Sequence, residues 1–113
     1  MSLDDTQRAT CQRFGAKSDA PAPDSKLGIA LSTAGLLPLN ALRHPAEGDT
    51  CGWYVWWGDM LTEDPNFFQP LHVSHLPERC PQLLPYLALP AGWRVQVAPG
   101  HEDVWYDERL LNI

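Results

Sequence analysis

The sequence has no long apolar run, few cysteines and few basic residues. No hydrophobic stretch approaches the roughly 20 residues of a membrane-spanning helix, so a membrane protein is excluded. The three cysteines are odd in number and form no CxxC pair, which disfavours a disulfide framework or a zinc knuckle. Residues 1–15 carry early acids and lack the apolar segment of a secretory signal. Free thiols suit a reducing compartment, so we expect a cytoplasmic protein.

Size and charge define the class of protein. A chain of 113 residues that is 44% hydrophobic can form one domain with an apolar core. Its 8 basic and 14 acidic residues give a net charge of −6, and this whole excess lies in residues 27–113. Such a surface repels nucleic acid and anionic membranes and attracts a basic partner. The alternative is that the acids serve only solubility.

The N-terminal part differs in composition from the rest. Residues 4–14 favour a short helix that ends at Gly15, since glycine suits the left-handed position after a helix. Residues 15–25 are rich in alanine, proline, serine and aspartate, which predicts a flexible linker. We therefore divide the chain into an N-terminal helix and linker (1–25) and a compact domain (26–113). We expect the compact domain to fold without the first 25 residues.

Alternating apolar positions predict the strands of the compact domain. Residues 27–33 and 93–99 each favour a strand, and 104–106 a last one. Residues 52–58 place aromatic side chains on both faces, so this strand is expected at the centre of the sheet. Residues 71–89 have helical spacing, but their prolines predict two short helices or one bent helix. The fold class is α+β: a small single domain with an antiparallel sheet of about four strands, one or two packed helices and the N-terminal helix.

Tryptophan is abundant, with five in the chain. Trp53 and Trp105 lie in strand-like segments, and we expect both in the core because each ring buries a large apolar area. Arg94 lies between two apolar neighbours, where a buried unpaired charge would be costly. We expect it to pair with a carboxylate.

Few residues favour catalysis or metal binding. His72, His75 and Glu78 are three residues apart and could form half of a metal site, but a fourth ligand is missing and a structural role is favoured. Cys51 or Cys80 beside a histidine could act as a nucleophile, yet no known signature surrounds either cysteine. The glycines are scattered and form no phosphate loop. We expect no enzyme, no metal site and no cofactor.

Two other functions remain open from the residues alone. Adjacent acids could serve a hydrolase as acid and base, although solvated loops are the simpler explanation. A cleft formed by tryptophan and tyrosine could hold a small ligand or a carbohydrate. The paired acids are Glu63/Asp64, Glu102/Asp103 and Asp107/Glu108.

Four ordered blocks give a family resemblance: GWYVWWGDM, DPNFFQPLHVSHL, YLALPAGWRV and HEDVWYDERLL. Over about residues 26–113 they resemble the immunity protein 33-like domains of bacterial polymorphic toxin systems. Members often have glutamate after the tryptophan-rich strand, where this chain has Asp59. The resemblance implies a non-enzymatic, cytoplasmic immunity protein that binds and neutralises a cognate toxin. It implies no catalytic residue. The alternative is the small-ligand or carbohydrate-binding module.

Acids are concentrated in residues 47–64 and 102–109. If the strands at 52–58 and 103–106 are neighbours, their loops would form one acidic patch edged by aromatic rings. A basic toxin would be steered towards such a patch. The alternative is that these acids only solvate two loops. The predicted partner-binding residues are Trp56, Asp59, Glu63, Asp64, Glu102 and Asp103.

Overall fold

The computed structural model describes residues 3–59 and 66–112. None of the helices within these ranges is long and apolar enough to cross a membrane. The elements are, in chain order, α1 (Leu3–Phe14), β1 (Lys26–Ile29), β2 (Leu39–Arg43), β3 (Thr50–Trp57), β4 (Gln69–His72), α2 (Leu76–Arg79), β5 (Trp93–Ala98) and β6 (His101–Tyr106). Short 3₁₀ helices span Leu31–Thr33, Val73–His75, Pro81–Tyr86 and Glu108–Leu111.

Within the described residues, six strands form one sheet in the order β4-β1-β3-β2-β5-β6. Strands β1 and β3 are parallel and the other neighbours are antiparallel. The α+β class is confirmed. The expectation of an antiparallel sheet of about four strands is wrong, because the described sheet has six strands and one pair of them, β1 and β3, is parallel. The sequence does not predict β2, which follows a proline-containing connection, or β4, an edge strand of only four residues. Neither strand alternates clearly, because β2 buries four of its five residues and β4 contains a proline and no buried residue.

Strand β3 is flanked by β1 and β2, as the aromatic residues on both faces predict. Trp53 and Val55 are fully buried on the face that the helices cover. Tyr54 and Trp56 lie on the opposite face, called here the open face, because neighbouring strand residues point to opposite sides. Both faces of β3 therefore bury apolar surface.

The helical segments cover the face of the sheet that carries Trp53, except the last 3₁₀ helix, whose Leu110 packs with Trp56 on the open face. After β4 the chain forms only short helices, which the prolines at 77, 81 and 85 explain, since proline is tolerated best at the start of a helix. Helix α1 lies on the 3₁₀ helix Pro81–Tyr86, and Gly15 ends it at a φ of +73°, as expected. Cys11 of α1 is buried in the main core, and Gln7 Nε2 donates to the Leu84 carbonyl at 3.0 Å.

Residues 15–25 also bond to the compact domain. The amide of Asp19 donates to the Ala88 carbonyl at 2.7 Å, and the amide of Ser74 donates to the Pro23 carbonyl at 3.0 Å. These bonds hold the segment against the domain. Independent folding of residues 26–113 stays a prediction.

The expectations for tryptophan and arginine have mixed outcomes. Trp53 is in the core, as expected, with its Nε1 donating to the Leu87 carbonyl at 2.9 Å. The prediction for Trp105 is wrong: its side chain is 36% exposed, because β6 is an edge strand whose open face is uncovered at this point. Arg94 pairs with Asp107 at 3.3 Å, as predicted, and lies over the Trp105 ring.

Candidate partner-binding surface

The predicted patch assumed that β3 and β6 are neighbours, and this premise is wrong. Strands β2 and β5 lie between them. The register nevertheless aligns Trp57 of β3, through β2 and β5, with Glu102 of β6. The end of β3 and the start of β6 therefore occupy the same end of the sheet, roughly 14 Å apart at about 4.8 Å per strand. We call this end, with Asp59, Glu102 and Asp103, the acidic end.

The acids of β6 project to different faces. Asp103 shares a cross-strand row with Trp56 and is exposed on the open face. Glu102 lies on the helix-covered face, where it accepts hydrogen bonds from Arg13 and from the Tyr86 hydroxyl. The Arg13 guanidinium, and then the Tyr86 hydroxyl, lower the pKa of Glu102. Glu102 is ionised at neutral pH, but its negative charge is partly neutralised by the ion pair with Arg13.

The residues at the end of β3 have contrasting environments. Trp56 is 6% exposed and packs edge-on against Phe68. It is therefore buried beneath the open face, where it holds Phe68 in place, and is not itself a surface residue. Asp59 is exposed and forms no ion pair with any residue in the described ranges. The predicted Glu63 and Asp64 lie outside the described residues. The structure thus places Asp59 and Asp103 at one end of the molecule, with Trp56 beneath the open face.

A row of polar side chains crosses the open face between these acids. Asn40 Nδ2 donates to the Gly58 carbonyl at 2.8 Å, and Asn40 Oδ1 accepts from Gln96 Nε2 at 3.1 Å. Gln96 Oε1 lies 3.0 Å from His101 Nε2. The row fixes the turn that carries Asp59. Polar residues inside apolar strands, such as Asn40 and Gln96, are the sequence signal that could have revealed it.

A cavity of about 600 Å³ opens at the same end of the molecule. Among the described residues, Trp57 and Tyr86 are the aromatic members of its wall, and Arg79 is the charged one. Leu36 and Leu37 lie at the cavity with 56% and 62% of their surfaces exposed. The sequence does not predict this cavity, because its lining comes from four separate segments. The described residues that line it are Ala34, Gly35, Leu36, Leu37, Leu39, Trp57, Arg79, Pro81, Gln82, Pro85, Tyr86, Val97, Ala98 and Pro99.

The histidines and cysteines considered for metal binding and catalysis lie in contrasting environments. His72 and His75 have ring centroids 5.8 Å apart and are both exposed. Within the described ranges, no three His, Cys, Asp or Glu side chains are grouped to hold a metal ion. Cys51 and Cys80 are free and buried, and burial raises the pKa of Cys80 to about 11. Cys80 is therefore a protonated thiol at neutral pH and a poor nucleophile.

Comparison with known proteins gives one family. Neither a curated protein nor a solved structure matches the chain. The Imm33-like domain matches residues 6–107, a range that begins within α1 and ends just after β6. The matched range is wider at its N-terminal side than the four sequence blocks indicate, and it includes most of the helix that packs on the core. Because the match spans nearly the whole sequence, the chain belongs to the Imm33-like domain family.

Proposed function

We propose that this protein is a non-enzymatic immunity protein that neutralises a cognate bacterial toxin by binding it directly. The observation that carries the proposal is the family match over residues 6–107. A toxin that acts inside the cell must be bound inside the cell, so the proposed location of the protein is the cytoplasm. The three free cysteines suit that reducing compartment.

The proposed contact surface is the acidic end. Asp59 and Asp103 are exposed there, and Glu102 adds a third carboxylate. Glu63 and Asp64 follow Asp59 closely in the sequence and are included in the proposal. Trp56 contributes indirectly, by supporting Phe68 on the open face.

The charge of the chain supports a basic partner. A net charge of −6 repels nucleic acid and anionic lipid, so neither is a proposed partner. Opposite charges on two proteins raise the rate at which they meet, and salt screens this effect. An acidic immunity protein would therefore capture a basic toxin quickly at low salt.

Charge reversal tests this surface. Asp59, Glu63 and Asp64 are changed together to lysine, and binding to the toxin encoded by the neighbouring gene is followed at several salt concentrations. We expect association to slow by tenfold or more at low salt, with a weaker dependence on salt and a smaller change in dissociation. Protection of cells against the toxin should fall in parallel.

A matched control keeps the same total charge. The control residues lie at the end of the sheet opposite the acidic end: Asp24 precedes β1, Glu47 precedes β3 and Glu108 follows β6. When these three acids are changed to lysine, the toxin should associate faster than it does with the variant at Asp59, Glu63 and Asp64. If reversal at Asp59, Glu63 and Asp64 leaves binding rates and protection at the wild-type level, the acidic end is not the interface. If the wild-type chain neither binds the toxin nor protects cells, the proposed function itself is wrong.

A further inference from the structure

The cavity beside the acidic end has the features of a protein-binding pocket. Its interior is apolar and includes Trp57 and Tyr86, and Leu36 and Leu37 expose large apolar surfaces at it. Exposed leucines at a concave site leave apolar surface in water that a bound partner would cover. Energetically dominant contacts between proteins concentrate in such pockets, surrounded by polar residues.

The cavity is continuous with the acidic end on two sides. Gly58, which precedes Asp59, lies against Leu36: a Cβ built on Gly58 would be 3.1 Å from Leu36 Cδ1. On the other side, Tyr86 in the cavity wall donates its hydroxyl proton to Glu102. A partner that contacts the acids would therefore also lie over the cavity mouth.

The charges around the cavity constrain what enters it. Arg79 is the charged residue of the lining, and it forms no ion pair with any other residue in 3–59 and 66–112. Its guanidinium repels a cation and can donate to backbone carbonyl oxygens of a bound segment. Asp59 attracts a cation at the side of Leu36. An apolar side chain with a basic neighbour on the Asp59 side suits both charges, because the apolar group avoids Arg79 and the basic group is attracted to Asp59.

We propose that this cavity receives an apolar side chain of leucine, methionine or phenylalanine size from a basic segment of the toxin. The inference rests on the proposed function, because the occupant belongs to the toxin. The volume lies within the range of about 300–1,000 Å³ typical of ligand pockets, and so exceeds one side chain and leaves room for its flanking backbone. The inserted side chain is a buried anchor, so its loss acts mainly on dissociation.

Two variants of the full-length chain test the cavity in different ways. Leu37→Asp places a charge at the cavity, and Ala34→Trp fills it from the surface, since Ala34 is exposed and belongs to the lining. Both should dissociate at least tenfold faster from the toxin encoded by the neighbouring gene, measured by surface plasmon resonance. Both positions are exposed, so melting temperatures should stay close to wild type.

Matched controls carry the same substitutions elsewhere. Leu111 is 40% exposed and lies beyond the far end of β6, and Ala46 lines a separate depression. Leu111→Asp and Ala46→Trp should dissociate at the wild-type rate. Agreement of these controls with wild type would show that the effect belongs to the cavity and not to an added charge or ring.

The outcomes separate the cavity from the proposed function. If wild type binds the toxin and both Leu37→Asp and Ala34→Trp dissociate at its rate, the cavity proposal is overturned and the immunity function stands. If decanoate shifts the tryptophan emission of wild type but not of Leu37→Asp, and toxin dissociation is unchanged in the variants, the cavity holds a small ligand and the proposal is overturned. If wild type does not bind the toxin, both proposals fall together.

Discussion

Arg43 is the side chain whose replacement should affect stability most clearly. It is 4% exposed in the middle of the structure, and within the described residues it forms no salt bridge; the Asp19 carboxylate interacts with it only at longer range. Its guanidinium instead donates to backbone carbonyls: Nε to Cys51 at 3.0 Å, and Nη1 to Asp19 at 2.7 Å and Leu89 at 2.8 Å. Burial lowers the pKa of Arg43, but arginine stays charged at any ordinary pH. The side chain thus ties strands β2 and β3 to the segments before β1 and β5.

The proposed change is Arg43→Met, which keeps the apolar stem and removes every donor. The carbonyls of Cys51 and Leu89 would be left buried without this partner, at about 1–3 kcal/mol each. Part of this cost is offset, because a buried charge no longer has to be desolvated. We expect a net loss of roughly 2–4 kcal/mol, which lowers the melting temperature by about 10 °C in a domain of this size.

Chemical denaturation monitored by circular dichroism and tryptophan fluorescence measures this loss. Arg94→Met is the matched control, because Arg94 is partly exposed and its partner Asp107 keeps a second arginine, Arg109; it should cost about 1 kcal/mol or less. Arg43→Lys should fall between wild type and Arg43→Met, since one ammonium cannot reach all three carbonyls. A melting temperature for Arg43→Met within 2 °C of wild type would refute the assignment of these bonds as stabilising.

Three further predictions test other parts of the fold. Gly52→Ala should cost at least about 2 kcal/mol in urea unfolding, because the glycine has a φ of +95° and a Cβ would lie 1.9 Å from the His44 carbonyl oxygen; an unchanged midpoint would contradict this geometry. Removal of residues 1–25 should leave a cooperative thermal transition at a lower temperature, since the cover from α1 is lost, whereas a non-cooperative melt would show that α1 is indispensable. The Arg109 guanidinium lowers the pKa of Asp107 from 3.8 to about 2, so the folded state binds fewer protons, and stability present above pH 3.8 is lost as the pH falls towards 2. Asp107→Asn should remove this part of the acid sensitivity, and an equal slope in both proteins would argue against it.

Local pattern was sufficient for much of the fold. The alternation in residues 52–58 identified a central strand with Trp53 in the core, and both are confirmed. The helix at 4–14 and its end at Gly15 follow from propensity and from the freedom of glycine at positive φ. These features depend on residues that are close together in the chain, so a single sequence is enough to predict them. Strands β2 and β4 lack a clear alternation of buried and exposed residues, so local pattern does not reveal them.

The net charge, the central strand and the ordered blocks that indicate the family can all be read from the amino-acid sequence. The strand order is set only in the folded chain, where β2 and β5 lie between β3 and β6 and separate the acids of the predicted patch. It also left Trp105 on an uncovered edge and buried Arg43 among carbonyls from distant segments. The physical reason is that alternation is encoded every second residue, whereas strand order and cavities arise from pairings between segments far apart in the chain.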